Sequence, residues 1–268
     1  MEQPALLYYH LDEGVTAFST SRTRGYSKGQ YTAFNINEYC GDDPTSILRN
    51  REALCALLGI EDNQLVMPHQ VHRAEVAIID ESFWTLTNEE RRQSLEGIDA
   101  LMTQQSGVCI GVSTADCIPV LVYDHVQHVA CAIHAGWRGT VLRIVMQAVK
   151  AMMSTYGSKP IDMTAQVGPG ICLDSFEVGQ EVYDAFLQAG FDMAILSRRQ
   201  PSASGEEKWH IDLPLCNRQQ LLSMGIPSHQ ITISSICTFK QYDTWFSARR
   251  LGIHSGRIFT GIMLHEKP

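Results

Sequence analysis

The chain has 268 residues, of which 44% are hydrophobic and 19% are charged, a composition typical of globular proteins rather than of disordered or fibrous ones. Its formal net charge of -8 excludes a general binder of nucleic acid, because contact with a phosphate backbone requires a basic surface. It has no apolar run of membrane-spanning length and no secretion signal at its N-terminus, so we expect a cytoplasmic protein without a membrane partner.

The eight cysteines are scattered along the chain without paired spacing. A dense disulfide framework belongs to small secreted domains, so we interpret these residues as reduced thiols, most of them buried. The length of the chain fits one large domain over residues 1–268. We expect a monomer by default.

The predicted elements alternate between strands and helices. Helical spacing over residues 45–58 ends at Gly59, and apolar, β-branched runs then predict the strands 75–80, 99–103, 108–114, 118–124 and 129–134. After His134 the apolar spacing changes to three and four residues and continues to Gly157, which predicts one helix. Further helices are predicted at 179–188 and 212–224, and the Ser-, Arg- and Glu-rich stretch 197–208 is predicted to be an exposed loop.

The connections between the central strands are too short to contain crossover helices. The strands 108–114, 118–124 and 129–134 are therefore predicted to be largely antiparallel neighbours. A Rossmann fold is disfavoured because the chain lacks a Gly-x-Gly-x-x-Gly turn between a strand and a helix. These features predict a single α+β domain with a mixed, largely antiparallel β-sheet covered by helices.

Three short stretches concentrate residues that metals use as ligands: 68–72 (PHQVH), 114–117 (TADC) and 134–140 (HAGWRGT). Zinc accepts imidazole nitrogen and thiolate sulfur together, and a catalytic zinc has three protein ligands and one open position. His72, Cys117 and His134 satisfy that count. Spacing alone does not separate them from the competing histidines, which are His69, His125 and His128.

Two polar residues beside these candidates suggest further roles. Asp116 precedes Cys117 and could accept a proton, orient substrate or support the metal ligands. Arg138 lies in a glycine-flanked turn before a predicted helix, where it could bind phosphate or carboxylate. A turn with a solvated arginine explains the second pattern equally well.

The ordered set of motifs resembles the YfiH/laccase-domain family, whose members are also named multicopper polyphenol oxidoreductase-like proteins, peptidoglycan editing factors and purine nucleoside phosphorylases. HAGWRG at 134–139 is the most specific of these motifs. The others are FN at 34–35, GDDP at 41–44, NR at 50–51, QVH at 70–72, DAL at 99–101, TADC at 114–117, GP at 168–169, FEVG at 176–179, DL at 212–213, NR at 217–218, CT at 237–238, FS at 246–247 and RR at 249–250.

This resemblance implies a YfiH-like fold with His72, Cys117 and His134 as zinc ligands, with Cu²⁺ possible in place of Zn²⁺. It implies phosphorolysis of adenosine, inosine, guanosine and S-methyl-5′-thioadenosine, and adenosine deamination as a second activity. The expected partners are therefore purine nucleosides and phosphate.

The same motifs suggest which residues act on the substrate. Asp116, Arg138 and Cys117 are the predicted catalytic residues, and Asn35, Arg51 and Gln70 are predicted to bind substrate. In phosphorolysis, phosphate held by Arg138, and by Arg51 as a second candidate, would attack the ribose C1′ carbon. In deamination, water activated by zinc would attack C6 of adenine, with Asp116 or Glu177 moving the proton.

The chain departs from the commoner family pattern at two places. Arg73 stands where a glycine often follows the histidine, and Ser175 and Phe176 stand where many members have Cys-Tyr. These departures leave substrate preference open, and the missing cysteine weakens any expectation of several copper centres. The alternative functions are a copper-dependent polyphenol oxidase (laccase), a cysteine hydrolase that edits peptidoglycan precursors, and a non-enzymatic zinc-containing binding protein.

Overall fold

The computed structural model describes residues 3–202 and 205–266. Its strands, in chain order, are β1 (Leu6–Tyr9), β2 (Val15–Thr20), β3 (Leu65–Val66), β4 (Val76–Ile78), β5 (Ala100–Thr103), β6 (Cys109–Thr114), β7 (Ile118–Asp124), β8 (Val129–Ala135), β9 (Met163–Val167), β10 (Glu177–Val178), β11 (Ser197–Pro201), β12 (Glu207–Ile211), β13 (Ile231–Ile233) and β14 (Ile258–Leu264).

The α-helices connect these strands or cover them. In chain order they are α1 (Pro44–Leu58), α2 (Glu81–Thr85), α3 (Asn88–Ser94), α4 (Trp137–Val141), α5 (Ile144–Tyr156), α6 (Gln180–Gln188), α7 (Met193–Leu196), α8 (Leu213–Ser223) and α9 (Ala248–Leu251). No helix within the described ranges is long and apolar enough to cross a membrane.

Three sheets organise the described strands. The first has the order β1-β2-β14-β6-β3, the second β13-β9-β7-β8-β5-β4, and the small third sheet β10-β12-β11. Parallel pairing occurs only between β3 and β6, β4 and β5, and β9 and β13 among the described strands. The predicted α+β class with mixed, largely antiparallel pairing is confirmed, although the strands form three sheets rather than one.

The central strands of the six-stranded sheet are buried on both faces. Side chains alternate along β7, so Val120 and Val122 pack with α5 and α8, whereas Leu121 and Tyr123 pack against the five-stranded sheet. This double burial explains the continuous apolar sequence of β7 and β8.

Most predicted helices are confirmed. Helix α1 begins after Asp43, whose Oδ2 accepts a hydrogen bond from the Ser46 amide at 2.9 Å, and it ends at Gly59 with φ of 70°. Helices α6 and α8 match the two later predictions. The helix predicted after His134 is confirmed as α5, which ends at Gly157, and the structure adds the short helix α4 before it, with a break at Arg143, whose φ is 62°.

Two predictions about strands are also corrected. The predicted pairing of 108–114 with 118–124 is wrong: β6 pairs with β14 and β3, while β7 pairs with β8 and β9. The three residues between β6 and β7 therefore carry the chain from one sheet to the other. The predicted loop 197–208 instead forms most of the antiparallel pair β11 and β12; residues 203–204 of that prediction lie outside the described residues.

Candidate metal centre

The three predicted ligands come together where the chain passes between the two large sheets. His72 lies between β3 and β4, Cys117 lies between β6 and β7, and His134 is on β8. One potential ligand atom from each residue lies within 4.8 Å of the other two. The two imidazole rings meet edge to face, with centroids 4.7 Å apart.

Asp99, at the start of β5, fixes both histidines. Its Oδ1 accepts hydrogen bonds from Nδ1 of His134 at 2.8 Å and from the His72 amide at 3.0 Å, and its Oδ2 accepts one from the Arg73 amide at 2.7 Å. The His134 amide also donates to the Asp99 carbonyl at 2.8 Å. Because Nδ1 of His134 is engaged, Nε2 is the nitrogen left to bind a metal.

The backbone at His72 needs this support. Its φ is 63°, in the left-handed region that non-glycine residues seldom adopt. The Asp99 carboxylate accepts hydrogen bonds from the amides on either side of this strained position as well as from His72 itself. The buried carboxylate of Asp99 therefore supports both the strained backbone at His72 and the imidazole of His134.

The groups around Cys117 favour its thiolate form. Burial opposes the charged form of Cys117, but the positive charge of His134 and hydrogen bonds to His134 and His72 outweigh it, so the pKa of this thiol is lowered. Burial acts against the charged imidazole of His134 in the same way, yet Cys117 and Asp99 raise its pKa. The sulfur is consequently available as a thiolate, the form that coordinates metals.

The donor set fits a metal ion. Tetrahedral coordination with bonds of about 2.0–2.3 Å places ligand atoms roughly 3.6 Å apart, within the separation that these three atoms share. Two imidazoles and one thiolate suit zinc, and copper also accepts such ligands. No fourth His, Cys, Asp or Glu joins the group within residues 3–202 and 205–266, so an ion held by these three residues would keep a position for a ligand from outside the protein.

The cavity beside the three ligands has a volume of about 280 Å³. Tyr39 and His69 form part of its wall, with their rings stacked at 4.1 Å, and both oxygens of Glu96 lie 2.8 Å from Nδ1 of His69. Its lining comprises Asn37, Tyr39, Cys40, His69, Gln70, His72, Ser113, Thr114, Ala115, Cys117, His134, Ala248, Ile253 and Arg257. This wall combines an aromatic surface, polar groups and one guanidinium.

Because Gly136 has no side chain, it leaves space for the side chains of Cys117 and His72. A Cβ atom at this position would lie 2.9 Å from both Sγ of Cys117 and Cδ2 of His72. Its φ of -68° suits any residue, so only the lack of a side chain matters here. The glycine of the HAGWRG motif is therefore a condition for assembling the three ligands.

We expect Gly136→Ala to weaken zinc binding by about 5- to 150-fold, the equivalent of roughly 1–3 kcal/mol for overpacking. Competition with a chromophoric chelator would measure the dissociation constant. The melting temperature of the metal-free variant serves as the control for folding. A wild-type dissociation constant in the variant would contradict this account of Gly136.

The predicted substrate-binding residues lie in three different environments. Gln70 lines the cavity and is fixed by Ser113, whose amide donates to its Oε1 at 2.8 Å. Asn35 is fully buried behind the cavity wall and accepts a hydrogen bond from the Arg257 amide at 3.1 Å. Arg51 lines a neighbouring depression and pairs with Asp62 at 2.8 Å.

The predicted catalytic residues other than Cys117 do not line this cavity. The carboxylate of Asp116 accepts hydrogen bonds from Thr238 Oγ1 and the Arg249 amide, each at 2.7 Å, and it faces a separate depression. Arg138 is exposed on α4, with its guanidinium 4.3 Å from the centre of the Trp137 ring. Glu177 lies on β10, outside the lining as well.

Sequence reasoning assigned no role to Asp99, Tyr39 or Arg257. Asp99 begins the predicted strand 99–103 and the DAL motif, but its contacts depend on the pairing of β5 with β8, which places Ala100 opposite Ile133. Arg257 comes from the distant C-terminal part of the chain and has no local signal of its own.

Comparison with known proteins assigns the chain to a family. Residues 16–265 match a family described as multi-copper polyphenol oxidoreductase laccase, and the chain belongs to that family. A purine nucleoside phosphorylase of Bacteroides thetaiotaomicron is 44% identical over 252 residues, covering 94% of this chain and 92% of that protein.

Two further relatives extend the comparison. Adenosine deaminase RL5, from an unknown prokaryotic organism, is 44% identical over 250 residues, covering 93% of this chain and 94% of that protein. The crystal structure of the hypothetical protein YfiH from Bacillus licheniformis superposes with a TM-score of 0.86 at 27% identity and covers 97% of each chain. The resemblance inferred from the motifs is thereby confirmed, and the YfiH-like fold with it.

Proposed function

We propose that this protein is a zinc-dependent purine nucleoside phosphorylase that acts on adenosine, inosine, guanosine and S-methyl-5′-thioadenosine. The observation that carries the proposal is the open group of His72, Cys117 and His134 beside a cavity of about 280 Å³. The phosphorylase that is 44% identical over nearly the whole chain supports the reaction type. Zinc is our choice of metal for this mixed nitrogen and sulfur site, with copper as the possible substitute.

In this reaction a phosphate oxygen forms a bond to ribose C1′ while the bond from C1′ to the purine nitrogen breaks. Zinc bound to the three ligands would supply positive charge that orients an oxygen atom and stabilises negative charge. The aromatic ring of Tyr39 is part of the cavity wall, and a purine base can stack on such a flat surface. Gln70 and Ser113 hold each other in fixed positions beside it.

We assign the phosphate contact first to Arg257. It is the one arginine or lysine in the cavity lining within the described part of the chain. Its guanidinium is oriented by the carbonyls of Ile253 and Gly256, at 2.9 and 3.1 Å. Arg51 and Arg138, which the sequence suggested for this role, are second candidates because their guanidinium groups contact Asp62 and Trp137 instead.

Adenosine deamination is the second activity that we propose for the same site. Its support is the relative named adenosine deaminase, which is also 44% identical to this chain. An ion held by three protein ligands would leave a position for a water molecule, the reactant that deamination needs and phosphorolysis does not. Asp116 and Glu177 stay our proposals for moving the proton, although both lie outside the cavity lining.

The three rival functions fit the geometry less well. Polyphenol oxidation by multicopper chemistry needs several copper centres, and the described residues contain one group of three potential ligands. A cysteine hydrolase would need the Cys117 thiolate as its nucleophile, but a metal ion held by the three residues would occupy the same sulfur. A structural zinc site in a binding protein would be closed by a fourth protein ligand.

A product assay tests the proposal. Zinc-loaded protein of known metal content is incubated with adenosine, inosine, guanosine or methylthioadenosine, with and without phosphate, and the products are separated by chromatography. We expect free purine base only with phosphate, and some inosine from adenosine without it. Unchanged nucleosides throughout would overturn the proposal; phenol oxidation by copper-loaded protein would favour the laccase function instead.

A further inference from the structure

A second pair of sulfur atoms lies outside the metal centre. The amide of Cys172 donates a hydrogen bond to Sγ of Cys237 at 3.3 Å. The hydroxyl of Ser175 lies 3.4 Å from Sγ of Cys172 and 3.6 Å from Sγ of Cys237. These two cysteines are 65 residues apart in sequence but adjacent in the fold.

The backbone already aligns the two segments. Gly170 and Cys237 form a parallel bridge, and the Thr238 amide donates to the Gly170 carbonyl at 3.0 Å. A disulfide requires neighbouring Cα atoms and side chains that point towards each other. Adjacent backbones and a shared contact of both sulfurs with Ser175 bring the two side chains into the same place.

The two thiols differ in exposure and in ionisation. Cys172 is half-buried and lines a surface depression of about 290 Å³, whereas Cys237 is 4% exposed. Burial raises the pKa of the Cys172 thiol. Burial acts the same way on Cys237, but hydrogen bonds from the thiol and amide of Cys172 outweigh it and lower the pKa of Cys237.

We propose that Cys172 and Cys237 form a dithiol site that exchanges with low-molecular-weight disulfides and closes to an intramolecular disulfide. Cys172, the accessible residue, loses its proton to water and attacks one sulfur of the small disulfide as a thiolate; the S–S bond of the small disulfide breaks, and the thiolate that leaves takes up a proton. The Cys237 thiolate then attacks Sγ of Cys172 and releases the second small thiolate, which takes a proton from water. One small disulfide is reduced to two thiols as the protein dithiol is oxidised.

Oxidised glutathione is the probe for this exchange, applied to the folded, zinc-loaded protein. After alkylation of remaining thiols and tryptic digestion, we expect a linked pair of peptides, residues 151–198 and 219–240, which each contain one cysteine. Of the eight free thiols, two should be lost and should return on reduction with dithiothreitol.

Single variants separate the two roles. In Cys237→Ser, a glutathione adduct should accumulate on Cys172 because the second thiolate is missing. In Cys172→Ser, Cys237 should stay unmodified because it is shielded. Cys55→Ala, which removes a buried thiol from α1, is the matched control and should leave the linked pair unchanged. A link that forms only after unfolding in urea, or none at all, would overturn the proposal.

Discussion

Cys117→Ala is expected to lower zinc content from about one ion per chain to background and to reduce phosphorolysis by more than roughly 100-fold. The reason is that a single change removes one of the three residues that could hold the ion, and loss even of an outer hydrogen-bond partner commonly costs about 10- to 100-fold. Elemental analysis and the product assay would be run on the same preparation.

Cys40→Ala is the matched control, because Cys40 lines the same cavity but lies outside the ligand group. It should retain zinc and activity. Full activity in a Cys117→Ala preparation shown to be free of metal would refute a metal-dependent reaction. A covalent adduct trapped on Cys117 of the wild-type protein would instead favour a cysteine hydrolase.

Asp99→Asn is expected to weaken zinc binding by about 10- to 100-fold without removing a ligand. The neutral amide would lose the charge that orients His134, and its NH₂ group would face backbone amides that now donate to a carboxylate. A buried donor without an acceptor costs about 1–3 kcal/mol, so the variant should also unfold at a lower denaturant concentration.

The difference in stability between wild type and Asp99→Asn should depend on pH. Burial alone would raise the pKa of Asp99, but the hydrogen bond and charge of His134 and the two backbone amides lower it. The carboxylate therefore stabilises the fold above its unfolded pKa of about 3.9, and this contribution is lost as the pH falls through the lower folded value. Denaturant titrations over this range should show the two curves converging.

Asp124→Asn is the control variant, because it neutralises a buried carboxylate that lies away from the metal centre. Asp124 is fully buried at the far end of β7, where its Oδ1 accepts hydrogen bonds from the amides of Val126 and Gln127, each at 2.9 Å. This variant should lose folding stability but keep the wild-type affinity for zinc. Equal zinc affinities of Asp99→Asn and wild type would show that Asp99 does not position the ligands.

Residue chemistry indicated the donor types and the family resemblance selected His72, Cys117 and His134, while the fold supplies the physical reason against two of the competing histidines. His125 and His128 lie at the turn between β7 and β8, whereas His134 is near the opposite end of that pair. A strand of six or seven residues spans about 20 Å, so one ion cannot bind both ends. Spacing could not reveal this, because it depends on how the strands pair.

Two errors in predicting strands have a common physical origin. The short connection 115–117 was interpreted as a turn between paired neighbours, but it joins two packed sheets. The polar stretch 197–208 was interpreted as a loop, yet its residues pair in a small outer sheet where many side chains face water. Hydrophobic alternation reports burial, so it neither identifies the partner of a strand nor detects strands that stay exposed.

The position of the ligands between two sheets connects metal affinity to the packing of the interior. Ile110 on β6 and Leu121 on β7 belong to the core that separates the sheets, and the segment that joins these strands carries Cys117. Since coordination tolerates only small changes in the distances between ligands, a change of volume in this core is expected to shift the spacing of donors that it never touches. Substitutions between the two sheets are therefore expected to change metal affinity without altering any of the three candidate ligands.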